Sequence, residues 1–331
     1  MPANLTPQYL AAEEKYRRAR DKAEKIAALE EMLAVIPKHK GTDHLQADLK
    51  RRLSKLRQME EKKGAGKSAD PFQIPKEGAG QVVLMGYPNT GKSALVGALT
   101  RAKVNVAEYP FATPLPVAGM MSYEDIMIQL VDLPPVTAGE MPRGMAGTLR
   151  QADLLLIIVD GGSDNCLEQL TGCYELLQER GILVAPGEEP GPQVKTAREL
   201  MTVITKSDLP GAGARMELLQ ELGKELYTGD GWETVAVSVE KPESLEVLRE
   251  HIFRRLRVIR VYTKVPGKEA DLSKPFILKD GGTVLDLAEL VHRDFPGKLK
   301  RARVWGSVKF PGQPVERDYR LADGDIVELL V

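Results

Sequence analysis

The chain has 331 residues, of which 43% are hydrophobic and only 5% aromatic, and its 46 Lys and Arg residues nearly balance its 47 Asp and Glu residues. This composition excludes a collagenous, low-complexity or wholly disordered protein, and the length predicts two or three domains. The two cysteines exclude a disulfide scaffold and suit a reducing compartment. The longest apolar run, Leu154 to Val159, is far shorter than the roughly 20 residues of a membrane-spanning helix, so we expect a soluble, cytoplasmic protein with no membrane partner.

Charge is unevenly distributed along the chain. Residues 1–63 contain 15 basic and 10 acidic residues, and residues 251–310 contain 14 and 6, so the two regions carry +5 and +8. Because the whole chain carries −1, the remaining residues carry −14. Two basic regions therefore flank an acidic middle, and they are where we expect contact with a polyanionic partner.

The N-terminal region is predicted to form a basic helical hairpin over residues 1–63. Apolar residues at helical spacing and the stop at Pro37 predict a first helix over 7–36, and leucines at steps of three and four predict a second over about 44–61. A structural appendage with solvated charged faces is an equal alternative to partner binding. Residues 64–80 are rich in Gly, Pro and Ser, which predicts a linker.

Residues 81–257 alternate short apolar runs with helical segments, a pattern that predicts an α/β domain with a mostly parallel sheet. The predicted strands are 81–86, 125–132, 153–160, 200–206 and 234–239, and the predicted helices are 93–102, 167–181, 215–227 and 244–256. From residue 258 to 331, short strand-like segments surround one helix over 284–295. This change of pattern predicts a second, small α+β domain.

The most informative motif is GYPNTGKS, Gly86 to Ser93, which fits the phosphate-loop pattern G-x-x-x-x-G-K-[ST] and lies between a predicted strand and a predicted helix. Its glycines let the backbone curl so that successive N–H groups point at phosphate oxygens, and the helix N-terminus adds a favourable dipole. Lys92 would bring a positive charge to the outer phosphates, and the Ser93 hydroxyl would ligate Mg²⁺.

A second motif, TKSD at 205–208, resembles the N/T-K-x-D motif of GTPases and on that resemblance predicts which base is bound, with an ordinary strand-end turn as the alternative. The Asp208 carboxylate would accept hydrogen bonds from the N1 and N2 protons of guanine, and the Lys206 stem would pack on the base. Ser238 is predicted to add a weaker guanine contact, with an ordinary strand-end hydroxyl as the alternative. The residues predicted to contact GTP or GDP are Gly86, Tyr87, Pro88, Asn89, Thr90, Gly91, Lys92, Ser93, Ala94, Thr205, Lys206, Asp208, Ser238 and Val239.

The segments VDLPP and YPFAT supply the remaining metal ligands. Asp132 is placed to hold Mg²⁺ through water, and Thr113 is the candidate second hydroxyl ligand, although YPFAT also reads as a Pro-rich surface loop. We expect Lys92, Thr113 and Asp132 to act in catalysis. In GTPases the segment that begins with this aspartate is usually D-x-x-G, and the N–H of its glycine contacts the γ-phosphate. In this chain the glycine position is Pro135, which has no N–H. Gly139 could replace that donor only after a loop shift.

Together these motifs resemble the developmentally regulated GTP-binding proteins, relatives of the Obg group of translation-factor GTPases. The resemblance extends to the basic segment 37–57, to RVIRVYTK at 257–264, to VWGSVK at 304–309 and to ADGDIVELL at 322–330. It implies Mg²⁺-dependent GTP hydrolysis, a C-terminal TGS domain with a β-grasp fold, contact with the ribosome or RNA through the hairpin and the TGS domain, and a protein activator.

Three departures from that family matter. Pro135 replaces a glycine, and the stretch from Asp160 to Met201 is too short for the domain that eukaryotic and archaeal members insert. Asn89 stands where related potassium-stimulated GTPases bind K⁺, which makes it a candidate K⁺ ligand, with a purely conformational role as an equal alternative. As in the family, no Gln occupies the water-orienting position, which here is Val136.

Two other functions stay open. Because of Pro135, the chain could be a docking module that binds guanine nucleotide and RNA or the ribosome but hydrolyses little GTP. It could also be an ATP-using enzyme, but the TKSD motif would then have to be a chance match.

Cys166 and Cys173, two helical turns apart, are predicted to be buried apolar residues. A candidate phosphate-binding surface comprises Arg254, Arg255, Arg257, Lys298, Lys300, Arg301 and Arg303. For the helix arginines alone, a solvated structural face is the alternative.

Overall fold

A computed structural model describes residues 7–18, 22–36, 49, 51, 53, 71–100, 115–184, 188–189, 191, 194–227 and 232–330. The chain divides into two compact units, residues 1–70 and residues 71–331. None of the helices in these described ranges combines the length and the apolar character needed to cross a bilayer.

The first unit contains two helices packed side by side, α1 (Pro7–Arg18) and α2 (Lys22–Val35). The predicted single helix over 7–36 is therefore wrong. In one helix Lys15 and Glu31 would lie about 24 Å apart, but their Nζ and Oε1 atoms are 2.8 Å apart. The apolar positions that resemble one stripe belong to two helices that bury them against each other, with Tyr9, Ala12, Leu29 and Met32 in the shared core.

The predicted second helix over 44–61 is described at three positions only. Leu49, Arg51 and Leu53 are helical, and Leu49 is buried in the same core as Tyr9 and Met32. The hairpin observed in this unit is thus formed by α1 and α2, while the predicted connection at 37–43 lies outside the described residues.

The second unit contains a six-stranded sheet in which every neighbouring pair is parallel except β2 and β3, in the order β2-β3-β1-β4-β5-β6. Its strands are β1 (Gln81–Gly86), β2 (Val117–Tyr123), β3 (Ile126–Asp132), β4 (Leu154–Asp160), β5 (Leu200–Thr205) and β6 (Thr234–Ala236). Its helices are α3 (Lys92–Thr100), α4 (Met145–Gln151), α5 (Cys166–Glu179), α6 (Ala212–Leu226) and α7 (Pro242–Leu256), with a 3₁₀ turn at Ala197–Glu199. The predicted α/β class and mostly parallel sheet are confirmed.

Helices cover both faces of this sheet. Along β4, Leu155, Ile157 and Val159 pack with α4, α5 and α6 on one face. The alternate residues Leu156 and Ile158 pack with α3 and α7 on the other. Strands buried on both faces read as continuous apolar runs, which is why they were visible in the sequence.

Part of the predicted linker, 64–80, packs against the sheet. Phe72 is buried in the core, and Ala79 N–H donates to the Met127 carbonyl at 2.7 Å. Gln81 and Gln129, whose side chains bond each other at 2.9 Å, also donate to the carbonyls of Ile74 and Pro75. Residues 71–80 are thereby fixed to the α/β core, whereas 64–70 lie outside the described residues.

The C-terminal part is a five-stranded mixed sheet with one helix of two turns and one of a single turn, the β-grasp arrangement expected. The strand order is β10-β9-β11-β7-β8, with β11 parallel to β7 and the other neighbours antiparallel. The elements are β7 (Val258–Lys264), β8 (Ala270–Lys279), α8 (Val284–Val291), α9 (Phe295–Lys298), β9 (Arg301–Trp305), β10 (Gln313–Val315) and β11 (Asp325–Leu330). A capping box between Thr283 and Asp286 begins α8, and Val284, Leu287 and Ala288 bury its inner face. The predicted helix over 284–295 ends earlier, at Val291, because His292 is extended.

Candidate functional site

The predicted site lies at one edge of the six-stranded sheet. Strands β1, β3, β4 and β5 run parallel, so their last residues, Gly86, Asp132, Asp160 and Thr205, meet at the carboxyl edge. Ligands of open α/β sheets bind in this position.

The phosphate loop, Gly86–Ser93, connects β1 to α3. Gly86 needs to be glycine because a Cβ there would lie 2.5 Å from the Ile158 carbonyl oxygen. Asn89 and Gly91 have φ values of 63° and 85°, the left-handed conformations that curl the loop. The Thr90 hydroxyl donates to the Tyr87 carbonyl at 3.0 Å and fixes the curl from inside.

Lys92 lies inside this loop. Its ammonium donates to the carbonyls of Gly86 at 3.0 Å and Tyr87 at 2.8 Å, and the residue is only 7% exposed. Burial lowers the pKa of Lys92, although the nearby Asp132 charge opposes the shift. An ammonium held on neutral carbonyls lacks a full counter-charge, so phosphate oxygens would replace those carbonyls favourably.

Ser93 and Asp132 form the candidate Mg²⁺ site. The Ser93 hydroxyl donates to Asp132 Oδ2 at 2.5 Å, while Oδ1, which is buried, has no hydrogen-bond partner among the described residues. Burial raises the pKa of Asp132, with the Ser93 hydrogen bond and the Lys92 charge acting against it. A buried carboxylate oxygen without a donor, next to a hydroxyl, fits the oxygen ligands that Mg²⁺ takes. The third predicted ligand, Thr113, lies outside the described residues.

The TKSD motif is tied to the phosphate loop by side chains. The Thr205 hydroxyl donates to the Thr90 carbonyl at 2.7 Å. Lys206, which has a left-handed φ of 55°, extends over the loop and donates to the Asn89 carbonyl at 3.0 Å and to Asp160 Oδ2 at 2.6 Å. The two predicted motifs are therefore brought together, with Asp160 as an additional member.

Beside this network is a cavity of about 210 Å³ with mainly apolar walls. Gly91, Ala94, Lys206, Asp208, Leu209, Ser238 and Val239 are among its lining residues. A hydrogen bond with Ser238 lowers the pKa of the exposed Asp208 carboxyl. Ser238 is itself fixed, because its oxygen accepts from Glu240 N–H at 3.1 Å. The cavity thus presents a carboxylate acceptor beside apolar walls, as a guanine base requires.

The segment after Asp132 lacks the usual donor. Pro135 is exposed and Val136 is fully buried, with its N–H donating to the Gly86 carbonyl at 3.1 Å. The Val136 side chain therefore faces the core, where it cannot orient a water. Gly139, at φ 72°, belongs to an exposed turn closed by mutual hydrogen bonds between Thr137 and Glu140.

One contributor, Asp160, was not predicted. It ends the run DLLLIIVD, and an acidic residue directly after a buried parallel strand was the available signal. Tyr87, which was predicted to contact the nucleotide, lies across α5 at Gly172, where a Cβ would come within 2.2 Å of its hydroxyl oxygen. Cys166 and Cys173 are buried and free, as predicted, and burial raises the pKa of Cys173 to about 12.

The candidate phosphate-binding surface divides into two groups. Arg254 pairs with Glu233 at 2.6 Å, and Arg255 donates to the carbonyls of Ala197 and Leu200, so these helix arginines have structural partners. Arg257 pairs with Asp280 at 3.1 Å. The other four predicted members, which are exposed on the C-terminal domain, are Lys298, Lys300, Arg301 and Arg303. Among them, Arg303 pairs with Glu328 at 3.8 Å.

Comparison with known proteins identifies the two domains. Residues 81–185 match a family model described as a 50S ribosome-binding GTPase, and residues 259–331 match the TGS domain. A YchF GTPase structure from Schizosaccharomyces pombe covers 77% of this chain and 99% of its own, with a TM-score of 0.53 at 13% identity, which indicates a shared fold.

Similarity to curated proteins extends over nearly the whole chain. An uncharacterized GTP-binding protein of Methanocaldococcus jannaschii is 30% identical over 93% of this chain and 92% of its own length. Developmentally-regulated GTP-binding protein 2 of Homo sapiens is 25% identical over 93% of this chain and 98% of its own. With its GTPase and TGS domains in the same order, the chain belongs to the family of developmentally regulated GTP-binding proteins.

Proposed function

We propose that this GTP-binding protein hydrolyses GTP to GDP and phosphate with Mg²⁺, and that it does so in association with the ribosome or RNA. The observation that carries the proposal is the pairing of Ser93 with Asp132 beside the Lys92 ammonium, at the sheet edge where the cavity lined by Asp208 also lies. Phosphate, metal and base would each have a complementary group within one continuous site.

The chain's own residues suggest how the phosphates would be held. Lys92 would exchange the Gly86 and Tyr87 carbonyls for phosphate oxygens, and the loop N–H groups would hold the chain of phosphates in line. Ser93, Asp132 and Thr113 would hold Mg²⁺, which supplies charge neutralisation on the transferred phosphate. Lys206, which is fixed by Asp160, would hold the phosphate loop and the base cavity in a constant position relative to each other.

Hydrolysis in this site would rest on positioning and charge. Val136 is buried, so no side chain at that position can orient the attacking water. A cation beside the β- and γ-phosphates would compensate, and the exposed Asn89 at the loop apex is the proposed K⁺ ligand. We therefore expect slow intrinsic turnover, stimulated by K⁺ over Na⁺ and accelerated by a protein or ribosomal activator.

Ribosome or RNA contact is proposed from charge and from family relationships. The two regions of excess positive charge are residues 1–63 and 251–310. In the second, Lys298, Lys300, Arg301 and Arg303 are exposed on the TGS domain. The GTPase family model carries a ribosome-binding description. This role would place the protein in the cytoplasm.

Pro135 favours a second candidate, a docking module that binds guanine nucleotide without hydrolysing it. Proline cannot donate to a γ-phosphate, so GTP and GDP would be distinguished poorly. In that case the protein would bind RNA or the ribosome equally in both nucleotide states.

GTP turnover in K⁺ or Na⁺, with and without purified ribosomes, separates the two candidates. A GTPase releases phosphate in a Mg²⁺-dependent manner, faster in K⁺ and faster again with ribosomes. The docking module gives no turnover under any of these conditions, together with indistinguishable affinities for GDP and a non-hydrolysable GTP analogue.

A further inference from the structure

A cleft of about 590 Å³ lies at the edge of the six-stranded sheet opposite the nucleotide site. Its lining includes Asp153 and Glu199, which directly precede β4 and β5, together with Lys279 and Asp280 at the end of β8 in the TGS domain. Its size falls within the range of small-molecule sites, about 300–1,000 Å³. The cleft is therefore bounded by both the GTPase core and the TGS domain.

Positive charge is in excess in this cleft. Its lining contains three carboxylates, Asp153, Glu199 and Asp280, against six cations: Lys76, Lys195, Arg198, Arg255, Arg257 and Lys279. The carboxylates are also shared or already engaged. Glu199 closes a capping box with Thr196, and Asp280 pairs with Arg257. Arg255 has a further carboxylate partner outside the cleft, Glu233 at 3.9 Å, so an excess of two positive charges remains.

The lysines of this cleft are grouped around one carboxylate. Lys76 and Lys279 both approach the same oxygen, Asp153 Oδ1, at 2.9 and 3.3 Å. The second oxygen, Oδ2, accepts from Gln81 N–H at 2.9 Å. One shared carboxylate cannot neutralise two ammonium groups, so the pair keeps capacity for a further anion.

Lys195 is the third member of the group. Its ammonium donates to the Ala152 carbonyl at 2.5 Å, and no ion pair with a carboxylate is formed among the described residues. Burial lowers the pKa of Lys195; the charges of Glu199 and Asp153 oppose this shift, whereas those of Lys76 and Lys279 contribute to it. A partly buried ammonium on a neutral carbonyl, near two like charges, would be stabilised by an anionic ligand.

We infer that this cleft binds a small molecule carrying two or more phosphate groups, with Lys76, Lys195 and Lys279 as its principal ligands. The charge excess matches a diphosphate, whereas an RNA strand requires an extended basic track rather than a closed cluster interrupted by carboxylates. Strand β1 has six residues and spans roughly 17 Å, so the cleft is separate from the phosphate loop. Because Lys279 belongs to the TGS domain, the ligand would also join that domain to the GTPase core.

The test uses inorganic pyrophosphate as the probe and the full chain with Lys92→Ala, which disables the phosphate loop. Calorimetric titration at constant ionic strength should show one remaining site. The affinity of this site for pyrophosphate should fall about tenfold or more when Lys76→Gln, Lys195→Gln and Lys279→Gln are added, since each removes a charge-assisted contact. The control removes the same charge from exposed TGS residues by adding Lys298→Gln, Lys300→Gln and Arg301→Gln, and it should change the affinity less than about twofold.

Equal weakening in the two triple variants, or no pyrophosphate binding to Lys92→Ala, would overturn the inference. A third outcome would also overturn it: the cleft does not bind pyrophosphate, but the variant with Lys76, Lys195 and Lys279 all changed to Gln loses affinity for a labelled oligoribonucleotide. That result would assign these cations to RNA binding. Circular dichroism checks the fold. If the triple variant unfolds, Lys76→Gln with Lys279→Gln changes exposed residues only and should still weaken pyrophosphate binding about fivefold.

Discussion

The Lys206 ammonium lies 2.6 Å from Asp160 Oδ2, and this pair joins the ends of the neighbouring strands β4 and β5. The same ammonium donates to the Asn89 carbonyl in the phosphate loop. A single lysine of the guanine motif therefore supports both the loop that would hold phosphates and the cavity that would hold the base. Asp160, only 12% exposed in its side chain, fixes that lysine in place.

Lys206→Ala should reduce GTP affinity about tenfold, because it releases the loop and removes the stem that lines the base cavity. The stability loss should be small, about 1 kcal/mol or less, since the Lys206 side chain is 39% exposed. Fluorescent-nucleotide titration and thermal unfolding measure the two effects. Lys224→Ala, on α6, is the matched control and should leave affinity unchanged.

Asp208→Asn should change the base that the cavity prefers. Asparagine offers an amide donor where the carboxylate accepted from guanine, so GTP affinity should fall about 100-fold and xanthosine triphosphate, with a carbonyl at that position, should bind better than GTP. Competition among GTP, xanthosine triphosphate and ATP measures the change. Glu240→Gln alters another carboxylate of the same cavity and should retain the preference for GTP. An unchanged preference in Asp208→Asn would remove this residue from base recognition.

Pro135→Gly should restore a backbone N–H donor at the glycine position of the D-x-x-G motif. We expect the affinity for a non-hydrolysable GTP analogue, relative to GDP, to rise about tenfold, corresponding to one hydrogen bond to a charged oxygen. Pro266→Gly, in an exposed turn of the TGS domain, controls for the roughly 1 kcal/mol that a proline-to-glycine change costs through the unfolded state. A ratio that stays at the wild-type value would mean that the loop holds this position away from the γ-phosphate.

Arg260 connects the TGS domain to the β2–β3 hairpin, and this connection should depend on pH. Its guanidinium binds Asp323 at 2.6 Å and Asp125 at 3.1 Å, also pairs with Glu124, and stacks on Phe253. Burial alone would raise the pKa values of Asp125 and Asp323, but hydrogen bonds, including those from Arg260, more than offset it and both are lowered from 3.8.

Because both folded-state pKa values are lowered, this stabilisation is fully present above the ordinary value of 3.8 and is lost as the pH falls through the lower folded values. Arg260→Ala should therefore cost about 2 kcal/mol at pH 7 and progressively less below pH 4. Chemical unfolding of both proteins between pH 7 and pH 3 measures the difference. A cost independent of pH would show that Arg260 acts through packing on Phe253 rather than through its carboxylate partners.

Sequence patterns predicted the central strands because β1, β4 and β5 are buried on both faces and read as unbroken apolar runs. They missed β2, an edge strand whose residues are mostly half-exposed, and α4, whose seven residues include a glycine. They also merged α1 and α2, because no Gly or Pro in RARDK marks the break. The Lys206–Asp160 pair was not predictable, since its partners lie 46 positions apart and the motif assigned Lys206 to the base while nothing singled out Asp160.

Single-turnover hydrolysis tests the central claim most directly. The full chain, in excess over GTP labelled at the γ-phosphate and supplied with Mg²⁺ and K⁺, should release labelled phosphate. Lys92→Ala should lower nucleotide affinity by about 100-fold or more and release none, because the ammonium beside Gly86 and Tyr87 is absent. Equal release by both proteins, or tight GTP binding by the wild type with all label retained as GTP, would contradict a GTPase operating at this site.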